Sequence, residues 1–368
     1  MRVDRLVAEQ FRNIEQLRLE PHPGANVIFG DNAQGKTNLL EAIWLFCGAK
    51  SFRGAKEKEL VRLGQDMAHL NMTFHAEGRT QTADLAFGPE KKKVRINEVE
   101  QPNRSSLSGR FCAVLFSPDQ LSMVKQGPEG RRRFLDASLC QIFPKYQKVL
   151  ESYERILRQR SFLLRDCAAH PVLLDTLDAW DNHLIRYGAY IVSARVRYTA
   201  RLEEAAKEFY SGISSGKEAF TLSYQSALAE ESSPDRELCA KALQKAVADS
   251  RSEDLRVGAT TVGPHRDDLS IQIGGLGARS FASQGQQRSC VIALKLAECE
   301  LIAQAVGEPP VILLDDVMSE LDESRRSYLL NHLSGRQVFI TCCDTGSFEG
   351  LKDGKTFQIS GGALVRAE

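Results

Sequence analysis

The sequence has no excess charge of either sign, no long apolar run and no export signal. Its 48 Lys and Arg balance 48 Asp and Glu, so the net charge is zero and bulk electrostatics favour no class of partner. No apolar run approaches the roughly 20 residues of a membrane helix, and no signal-peptide pattern follows Met1. We therefore expect membrane association only through a partner, if at all.

Cysteine is present, but without the spacing of a metal site. The nine cysteines include no C-x-x-C pair and no ligand spacing with histidine. Cys342 and Cys343 are adjacent, which suits neither an ordinary disulfide nor a tetrahedral zinc site. With 42% apolar and 26% charged residues, the chain has the composition of a folded globular protein. We expect reduced thiols in a cytoplasmic protein.

What the sequence does contain is a glycine-rich loop between a strand pattern and a helix pattern. An apolar run ends at Gly30, and Gly35, Lys36 and Thr37 complete the pattern G-x-x-x-x-G-K-[ST]. Glycine lets backbone amides approach phosphate oxygens, and the following helix N-terminus adds partial positive charge. Lys36 would reach the β- and γ-phosphates, and the Thr37 hydroxyl would bind Mg²⁺. The predicted nucleotide-binding residues are Gly30, Asp31, Asn32, Ala33, Gln34, Gly35, Lys36, Thr37 and Asn38.

A second set of chemical residues lies near the C-terminal end. The apolar run 311–314 ends in Asp315 and Asp316, as a buried parallel strand does at the edge of a sheet that binds ligands. Asp315 would partner Mg²⁺ beside Thr37, and Asp316 could orient or deprotonate the attacking water.

A serine–glycine segment, 283–288, precedes a long helical pattern. Ser283 suits an N-cap and Gly285 permits close backbone approach, so this helix start is a candidate second anion site. Alone it would indicate only a capped helix. The order of phosphate loop, serine–glycine helix start, acidic strand end and the segment 319–322 favours a nucleotide function.

The pattern along the chain indicates a mixed α/β fold with an inserted, mainly helical lobe. Strand patterns occur at 2–29, 68–100, 111–116, 256–264 and 353–366, the last with Gly361-Gly362 as its turn. Helical periodicity dominates the stretch between Ser117-Pro118 and residue 255, with breaks expected at Pro144 and Pro171. The predicted divisions are 1–118, 119–255 and 256–368.

The zero net charge conceals an asymmetry. Residues 121–201 hold fourteen Lys and Arg against eight Asp and Glu, an excess of +6 that the rest of the chain offsets. This basic helical stretch could track a phosphate backbone or form a solvated face. Lys91–Lys93 could be a solvated turn or a DNA contact. Arg131–Arg133 could touch DNA or brace the lobe against the rest of the chain.

Together these segments resemble the ATP-binding-cassette head of SMC-like DNA-maintenance ATPases, and in detail the RecF family of bacterial recombination mediators. The likeness covers the whole chain and implies an ABC-type head of mixed sheets and helices with the helical lobe inserted. The segments that carry it are Phe11–Asn13, Gly30–Thr37, Ser51–Arg53, Phe116–Asp119, Arg131–Asp136, Val262–Asp268, Ser283–Arg288 and Leu313–Asp322.

The resemblance assigns motif roles residue by residue. Gly30–Thr37 would be Walker A, Val311–Asp315 Walker B, Ser283–Arg288 the signature motif and Ser319–Asp322 the D-loop. The Q-loop residue would be Asp119 or Gln120, a choice that the sequence leaves open; Gln120 is the candidate Mg²⁺ ligand. Arg53 matches an arginine that approaches the phosphates, worth about 10³–10⁵ in rate. The predicted catalytic residues are Lys36, Arg53 and Asp316. The further predicted nucleotide contacts are Arg12, Asn13, Ser283, Gly285, Gln286 and Asp322.

Two positions depart from the cassette pattern. Asp316 stands where a glutamate is usual, and Cys342-Cys343-Asp344 stands where a switch histidine is usual. Both departures suggest a slow ATPase.

The resemblance also implies an assembly and partners. Walker A and the signature motif face different nucleotides in the family, so a complete site takes two chains and implies an ATP-dependent homodimer. The implied partners are double-stranded DNA, gapped DNA junctions, RecR and RecO, with a role in loading RecA during gap repair and replication restart. DNA-stimulated ATP hydrolysis would accompany this role.

Two other classes of protein contain a phosphate loop. A transporter's cassette subunit would couple ATP to a membrane partner, which the missing histidine and the basic insertion argue against. A small-molecule kinase would lack both a signature motif and a D-loop, and this chain has candidates for both.

Overall fold

The computed structural model describes residues 1–88, 93–167, 170–226, 228, 233–343 and 354–367. The strands are β1 (Arg2–Phe11), β2 (Ile14–Leu19), β3 (Ala25–Phe29), β4 (Ala68–Ala76), β5 (Arg79–Phe87), β6 (Lys93–Ile96), β7 (Val99–Gln101), β8 (Ala113–Phe116), β9 (Phe220–Gln225), β10 (Asp268–Ile273), β11 (Leu276–Gly277), β12 (Val311–Asp315), β13 (Val338–Cys342), β14 (Gly354–Ser360) and β15 (Ala363–Ala367).

The α-helices are α1 (Lys36–Leu45), α2 (Pro118–Leu121), α3 (Pro128–Ile142), α4 (Pro144–Asp166), α5 (Leu174–Ser214), α6 (Arg236–Asp249), α7 (Arg251–Val257), α8 (Ala278–Phe281), α9 (Gln284–Val306) and α10 (Glu323–His332). Short 3₁₀ helices lie at Glu57–Glu59, Arg104–Leu107, Pro171–Leu173 and Met318–Glu320. Pro144 begins α4 directly after α3, and Pro171 begins the turn before α5, so both predicted helix breaks are confirmed.

The chain forms two compact units. The first unit is Met1–Ser122 with Arg288–Glu368, and the second unit is Met123–Gln287. Within the described ranges, no helix is both long enough and apolar enough to span a membrane.

The first unit contains two six-stranded sheets. The antiparallel sheet has the order β2-β1-β4-β5-β6-β7. The other sheet has the order β15-β14-β3-β13-β12-β8, in which the pairs from β14 to β8 are parallel and β15 is an antiparallel edge. Strand β12, which lies between β13 and β8, is wholly buried, as its continuous apolar run predicts. The C-terminal ends of β3, β13, β12 and β8 therefore share one edge.

The second unit has a small sheet of order β11-β10-β9 among helices. β10 pairs along its whole length with β9, from Asp268 opposite Gln225 to Ile273 opposite Phe220. The second unit therefore extends to Gln287, whereas the sequence places the end of the lobe at residue 255. The boundary differs because this pairing joins segments more than forty residues apart, which local patterns do not reveal.

The predicted strand at 256–264 is wrong. Val257 ends α7, Gly258 caps it in a left-handed conformation, and the chain then forms turns until β10 begins at Asp268. Buried polar contacts hold this loop. Arg160 is fully buried and donates to Asp254 at 2.6 Å and to the Thr260 hydroxyl at 2.9 Å. The loop is fixed by side chains rather than by a sheet.

Of the three consecutive arginines 131–133, two make hydrogen bonds within the second unit. Arg131 is buried and makes a bidentate pair with Asp268 at 2.7 and 2.8 Å. Arg132 donates to the Asp267 carbonyl oxygen at 2.7 Å, whereas the Arg133 side chain is exposed. These two arginines thus join the predicted lobe to residues 267 and 268, which the sequence assigns to the head and the structure places in the same second unit. Lys91 and Lys92 lie outside the described residues, and Lys93 begins β6.

The buried side chain of His265 should make the folded chain less stable in mild acid. Its Nδ1 lies 2.8 Å from the Tyr153 hydroxyl and its Nε2 lies 3.0 Å from the Thr260 carbonyl oxygen, so the neutral ring is fully bonded. Burial lowers the pKa of His265 from 6.5 to about 4. Between pH 6.5 and pH 4, His265 therefore binds a proton in the unfolded chain but stays neutral in the folded chain.

We expect this histidine to reduce the free energy of unfolding by up to about 3 kcal/mol as the pH falls from 6.5 to 4. Urea unfolding of the chain and of His265→Gln across this window measures the effect. The variant should show a shallower dependence on pH, and parallel curves would contradict the prediction.

Candidate functional site

The glycine-rich loop joins β3 to α1 in a conformation that needs its glycines. Gly30 and Gly35 have φ of 150° and 110°, and a Cβ on Gly30 would lie 2.2 Å from the Ile359 carbonyl oxygen. A Cβ on Gly35 would lie 2.7 Å from the Asn13 side-chain oxygen. The loop therefore passes close to its neighbours at both ends. Asp31, Asn32 and Ala33 form its exposed tip.

The C-terminal hairpin anchors this loop. The turn at Gly361-Gly362, predicted from the sequence, is confirmed. The N–H of Gly361 donates to the Gln34 side-chain oxygen at 2.5 Å, and the N–H of Gly362 donates to the Gln34 carbonyl oxygen at 2.9 Å. The last hairpin thus supports the candidate phosphate site.

Lys36 begins α1, and its side chain reaches back to the loop. The side chain is largely buried, and its ammonium donates to the carbonyl oxygens of Gly30 at 2.5 Å and Asp31 at 2.8 Å. Its positive charge is therefore fixed at the N-terminus of α1, where phosphate groups bind in this loop type.

Thr37 and Asp315 meet as the motifs predict. The Thr37 hydroxyl donates to Asp315 Oδ1 at 2.8 Å, and the Thr341 hydroxyl donates to the same oxygen at 3.0 Å. Burial raises the pKa of the Asp315 carboxyl, while these two hydroxyls and the Arg53 charge act in the opposite direction. The contact arises because β13, which carries Thr341, lies between β3 and β12.

Asp316 directly follows β12 in a left-handed conformation with φ of 52°. Its N–H donates to the Thr341 hydroxyl at 2.9 Å, and its carbonyl oxygen accepts from the Ser319 hydroxyl at 2.9 Å. Hydrogen bonds therefore fix the backbone N–H and C=O of Asp316, and with them the position of its Cα at the edge of the sheet.

A chain of amides connects Arg53 to the phosphate loop. Arg53 Nη1 donates to Asn38 Oδ1 at 2.8 Å, and Asn38 Nδ2 donates to Asn13 Oδ1 at 2.8 Å. Asn13 Nδ2 donates in turn to the Gln34 carbonyl oxygen at 3.1 Å. Four predicted site residues from three separate segments thus come together.

Arg12 has a partner that the sequence did not predict. Its guanidinium makes a bidentate pair with the buried carboxylate of Glu41, at 2.8 and 2.9 Å, and donates to the Glu59 carbonyl oxygen at 3.0 Å. The predicted contact of Arg12 with nucleotide stays a prediction. The sequence does contain a clue to this pair, because Glu41 is the single acidic residue within the apolar helix pattern 39–46.

The two Q-loop candidates differ in their surroundings. Asp119 is exposed, whereas Gln120 is half-buried, and its side-chain oxygen is buried without a hydrogen-bond partner in the described part of the chain. Gln120 follows β8, which pairs with β12 so that Phe116 lies opposite Leu314. A buried oxygen without a hydrogen-bond partner suits a cation ligand.

Cys342 and Cys343, at the predicted switch position, belong to the described residues. The Cys343 thiol lies 3.9 Å from the Lys36 ammonium and 3.1 Å from the Asn32 side-chain oxygen. Asp344 lies outside the described residues. Of the nine cysteines, Cys343 alone is exposed, and all nine are free.

The predicted signature residues Ser283–Arg288 lie where α9 begins, and all of them except Arg288 belong to the second unit. The Ser283 hydroxyl accepts from the Gln286 N–H at 3.2 Å, and the Gln286 side-chain oxygen accepts from the Ser283 N–H at 2.7 Å. This reciprocal pair is a capping box, so Ser283 is the N-cap that the sequence predicts. Gly285 lies in the first turn of this helix, and the Gln286 side-chain nitrogen donates to Glu218 at 2.5 Å.

Asp322, the predicted D-loop residue, also caps a helix. Its Oδ1 accepts from the Arg325 N–H at 2.9 Å at the start of α10, and this hydrogen bond lowers the pKa of the Asp322 carboxyl. Its predicted contact with nucleotide stays a prediction.

No group of three or more histidine, cysteine or acidic side chains in the described residues could hold a metal ion. Thr37 and Asp315, which are hydrogen-bonded to each other, carry hard oxygen donors of the kind that Mg²⁺ takes together with phosphate oxygens, and Gln120 stays the predicted third ligand. These donors fit Mg²⁺.

The phosphate loop, the acidic end of β12 and the two sheets define the head of an SMC-like P-loop ATPase. The family model described as RecF/RecN/SMC N terminal domain matches residues 2–360. The chain belongs to the RecF family. It is 41% identical over 350 residues to the DNA replication and repair protein RecF of Agathobacter rectalis, covering 95% of this chain and 93% of the relative.

Two further comparisons agree. The chain is 37% identical over 370 residues to the DNA replication and repair protein RecF of Bacillus subtilis, with 100% of each chain covered. A solved structure described as the recombination mediator protein RecF-ATP in the RecFOR pathway is 34% identical, with a TM-score of 0.91 over 99% of this chain and 96% of that chain. The predicted family and the head fold with mixed sheets and helices are confirmed.

Proposed function

We propose that this chain is a cytoplasmic recombination mediator that binds ATP and Mg²⁺, dimerises on ATP and binds double-stranded DNA near single-strand gaps. The observation that carries the proposal is the joined set of Lys36, Thr37 and Asp315 at one edge of a parallel sheet. The similar structure, described with ATP in the RecFOR pathway, supports ATP as the ligand and supports RecO and RecR as partners. A role in loading RecA is part of the same proposal.

The phosphate loop supplies the binding energy for ATP. The N-terminus of α1 presents N–H groups to an anion, and Lys36 adds a fixed positive charge. Thr37, Asp315 and Gln120 would hold Mg²⁺, which when bound neutralises phosphate charge and orients the γ-phosphate.

Hydrolysis requires a positioned water and a cation near the γ-phosphate. Asp316 orients or deprotonates the water, and Arg53 stabilises charge on the transferred group. The aspartate reaches less far than a glutamate would, and a thiol at Cys343 supplies no imidazole. We therefore propose slow hydrolysis to ADP and phosphate, with stimulation by DNA.

A complete site takes two chains. Ser283, Gly285 and Gln286 form a capped helix start that suits an anion, and one chain would offer it, with its Asp322, to the ATP held by the Walker motifs of its partner. The γ-phosphate is then the bridge between the chains. Because hydrolysis removes the γ-phosphate, the two chains should separate when only ADP is bound.

The basic side chains of residues 121–201 are divided between the interior and the surface of the second unit. Arg131, Arg160 and Arg195 are buried and paired with aspartates, so they are structural. Lys148, Arg155 and Arg158 are exposed on α4, and none of them has an ion-pair partner in the described ranges. On a helix these three lie within about 80° of one another around the axis, so they share one face. We propose that this face contacts DNA phosphates.

We expect double-stranded DNA to bind tightly only with ATP, and the affinity to fall steeply with salt. Replacing Arg155 and Arg158 with Gln should reduce the slope of log K against log salt by about 2, because each lost phosphate contact contributes about 0.9. Fluorescence anisotropy with labelled DNA, with ATP, ADP or no nucleotide, measures both quantities.

The double variant Lys207→Gln/Arg256→Gln is the matched control, because it removes the same charge at exposed sites that have acidic partners. An unchanged slope in Arg155→Gln/Arg158→Gln would contradict the proposed DNA face. Equal affinity for DNA with ATP, with ADP and without nucleotide would contradict the proposed ATP-dependent binding. The transporter-subunit alternative has no support from the family, and neither has the small-molecule kinase.

A further inference from the structure

Glu41 is a fully buried carboxylate on α1, one turn after the phosphate loop residues. Arg12 Nε donates to Glu41 Oε2 at 2.8 Å and Arg12 Nη2 donates to Oε1 at 2.9 Å, while the Ser51 hydroxyl donates to Oε1. A buried carboxylate is tolerated only when it is paired and hydrogen-bonded. Glu41 therefore fixes the positions of both of its partners.

Ser51 connects Glu41 to the backbone of the loop that carries Arg53. Because its hydroxyl proton is donated to Glu41, its oxygen lone pairs are available to the loop backbone. The N–H of Arg53 donates to this oxygen at 3.2 Å and the N–H of Ala55 donates to it at 3.3 Å. Glu41 thus holds the backbone of Arg53 through one hydroxyl.

A parallel chain of contacts holds the Arg53 side chain. Arg53 donates to Asn38, which lies three residues before Glu41 on the same face of α1. Asn38 donates to Asn13, the neighbour of Arg12. The two chains connect the same three segments, and they restrain the Arg53 backbone and guanidinium separately.

We propose that Glu41 is a positioning residue for ATP hydrolysis, which holds the loop 51–53 so that Arg53 faces the phosphates. The inference rests on the proposed ATPase function. The Arg53 guanidinium donates to Asn38 in the first turn of α1, next to Thr37, so it lies beside the phosphate loop. Glu41 itself touches no reacting group.

Replacing Glu41 with Gln removes the charge that holds Arg12 and changes the acceptor for Ser51 at constant size. We expect kcat to fall about 10- to 100-fold, as for a displaced catalytic group, while the Kd for ATP changes less than about threefold. Ser51→Ala, which removes only the bridging hydroxyl, should reduce kcat in the same direction. Glu20→Gln, at an exposed ion pair, is the matched control.

A double-mutant comparison separates positioning from a general loss of structure. In an Arg53→Ala background, Glu41→Gln should change kcat less than about twofold, because the group that it positions is gone. Thermal unfolding of each variant reports whether it folds.

The outcomes are distinguishable. Unchanged kcat in folded Glu41→Gln and Ser51→Ala would overturn the inference alone, and so would an equal loss with and without Arg53. Absence of hydrolysis in the unaltered chain would overturn the proposed function and the inference together.

Discussion

Replacing Lys36 with Met is expected to raise the Kd for ATP at least about 100-fold and to abolish measurable hydrolysis. The ammonium donates to the carbonyl oxygens of Gly30 and Asp31 at the N-terminus of α1. A methionine removes the cation that would meet the phosphates and leaves these oxygens without their donor. Losing a charge-assisted contact costs about 1.5–3 kcal/mol, and the unpaired oxygens add to this cost.

Equilibrium binding of a fluorescent ATP analogue measures the loss. Lys207→Met, which removes an exposed lysine of α5, is the control and should bind as the unaltered chain does. If Lys36→Met folds and keeps its affinity for ATP, the loop is not the phosphate site.

Replacing Asp316 with Asn is expected to separate binding from hydrolysis. The carboxylate follows β12 with φ of 52°, and asparagine tolerates this conformation, so the backbone should be kept. An amide cannot accept a proton from water. We therefore expect kcat to fall about 10²- to 10⁴-fold while the Kd for ATP changes little.

Single-turnover hydrolysis of saturating ATP measures this step directly. Asp66→Asn changes an exposed loop aspartate and should hydrolyse ATP at the unaltered rate. Equal rates for Asp316→Asn and the unaltered chain would remove Asp316 from the chemistry.

The sequence was most informative where function depends on neighbours along the chain. The order strand, glycine loop and helix around Lys36 needs only local geometry, and the structure has all three parts. The capped start at Ser283 is equally local. Asp315 could be placed at a sheet edge because a continuous apolar run favours a buried parallel strand.

The sequence was least informative where function depends on strand order. Thr341 bonds to Asp315 only because β13 lies between β3 and β12, and nothing in the local pattern reveals this neighbour. The lobe boundary was missed for the same reason, since β10 pairs with β9 across two intervening helices. Glu41 was missed because its partner Arg12 lies 29 residues earlier in the chain.

The central claim is that a complete site takes the Walker motifs of one chain and the helix start at Ser283 of another. The most direct test is the molar mass of Asp316→Asn by light scattering, with Mg-ATP or Mg-ADP, with and without Ser283→Arg in the same chain. We predict twice the chain's mass with ATP, the mass of one chain with ADP, and the mass of one chain for the double variant with ATP. A single-chain mass with ATP, or a dimer indifferent to nucleotide and to Ser283, would contradict the claim.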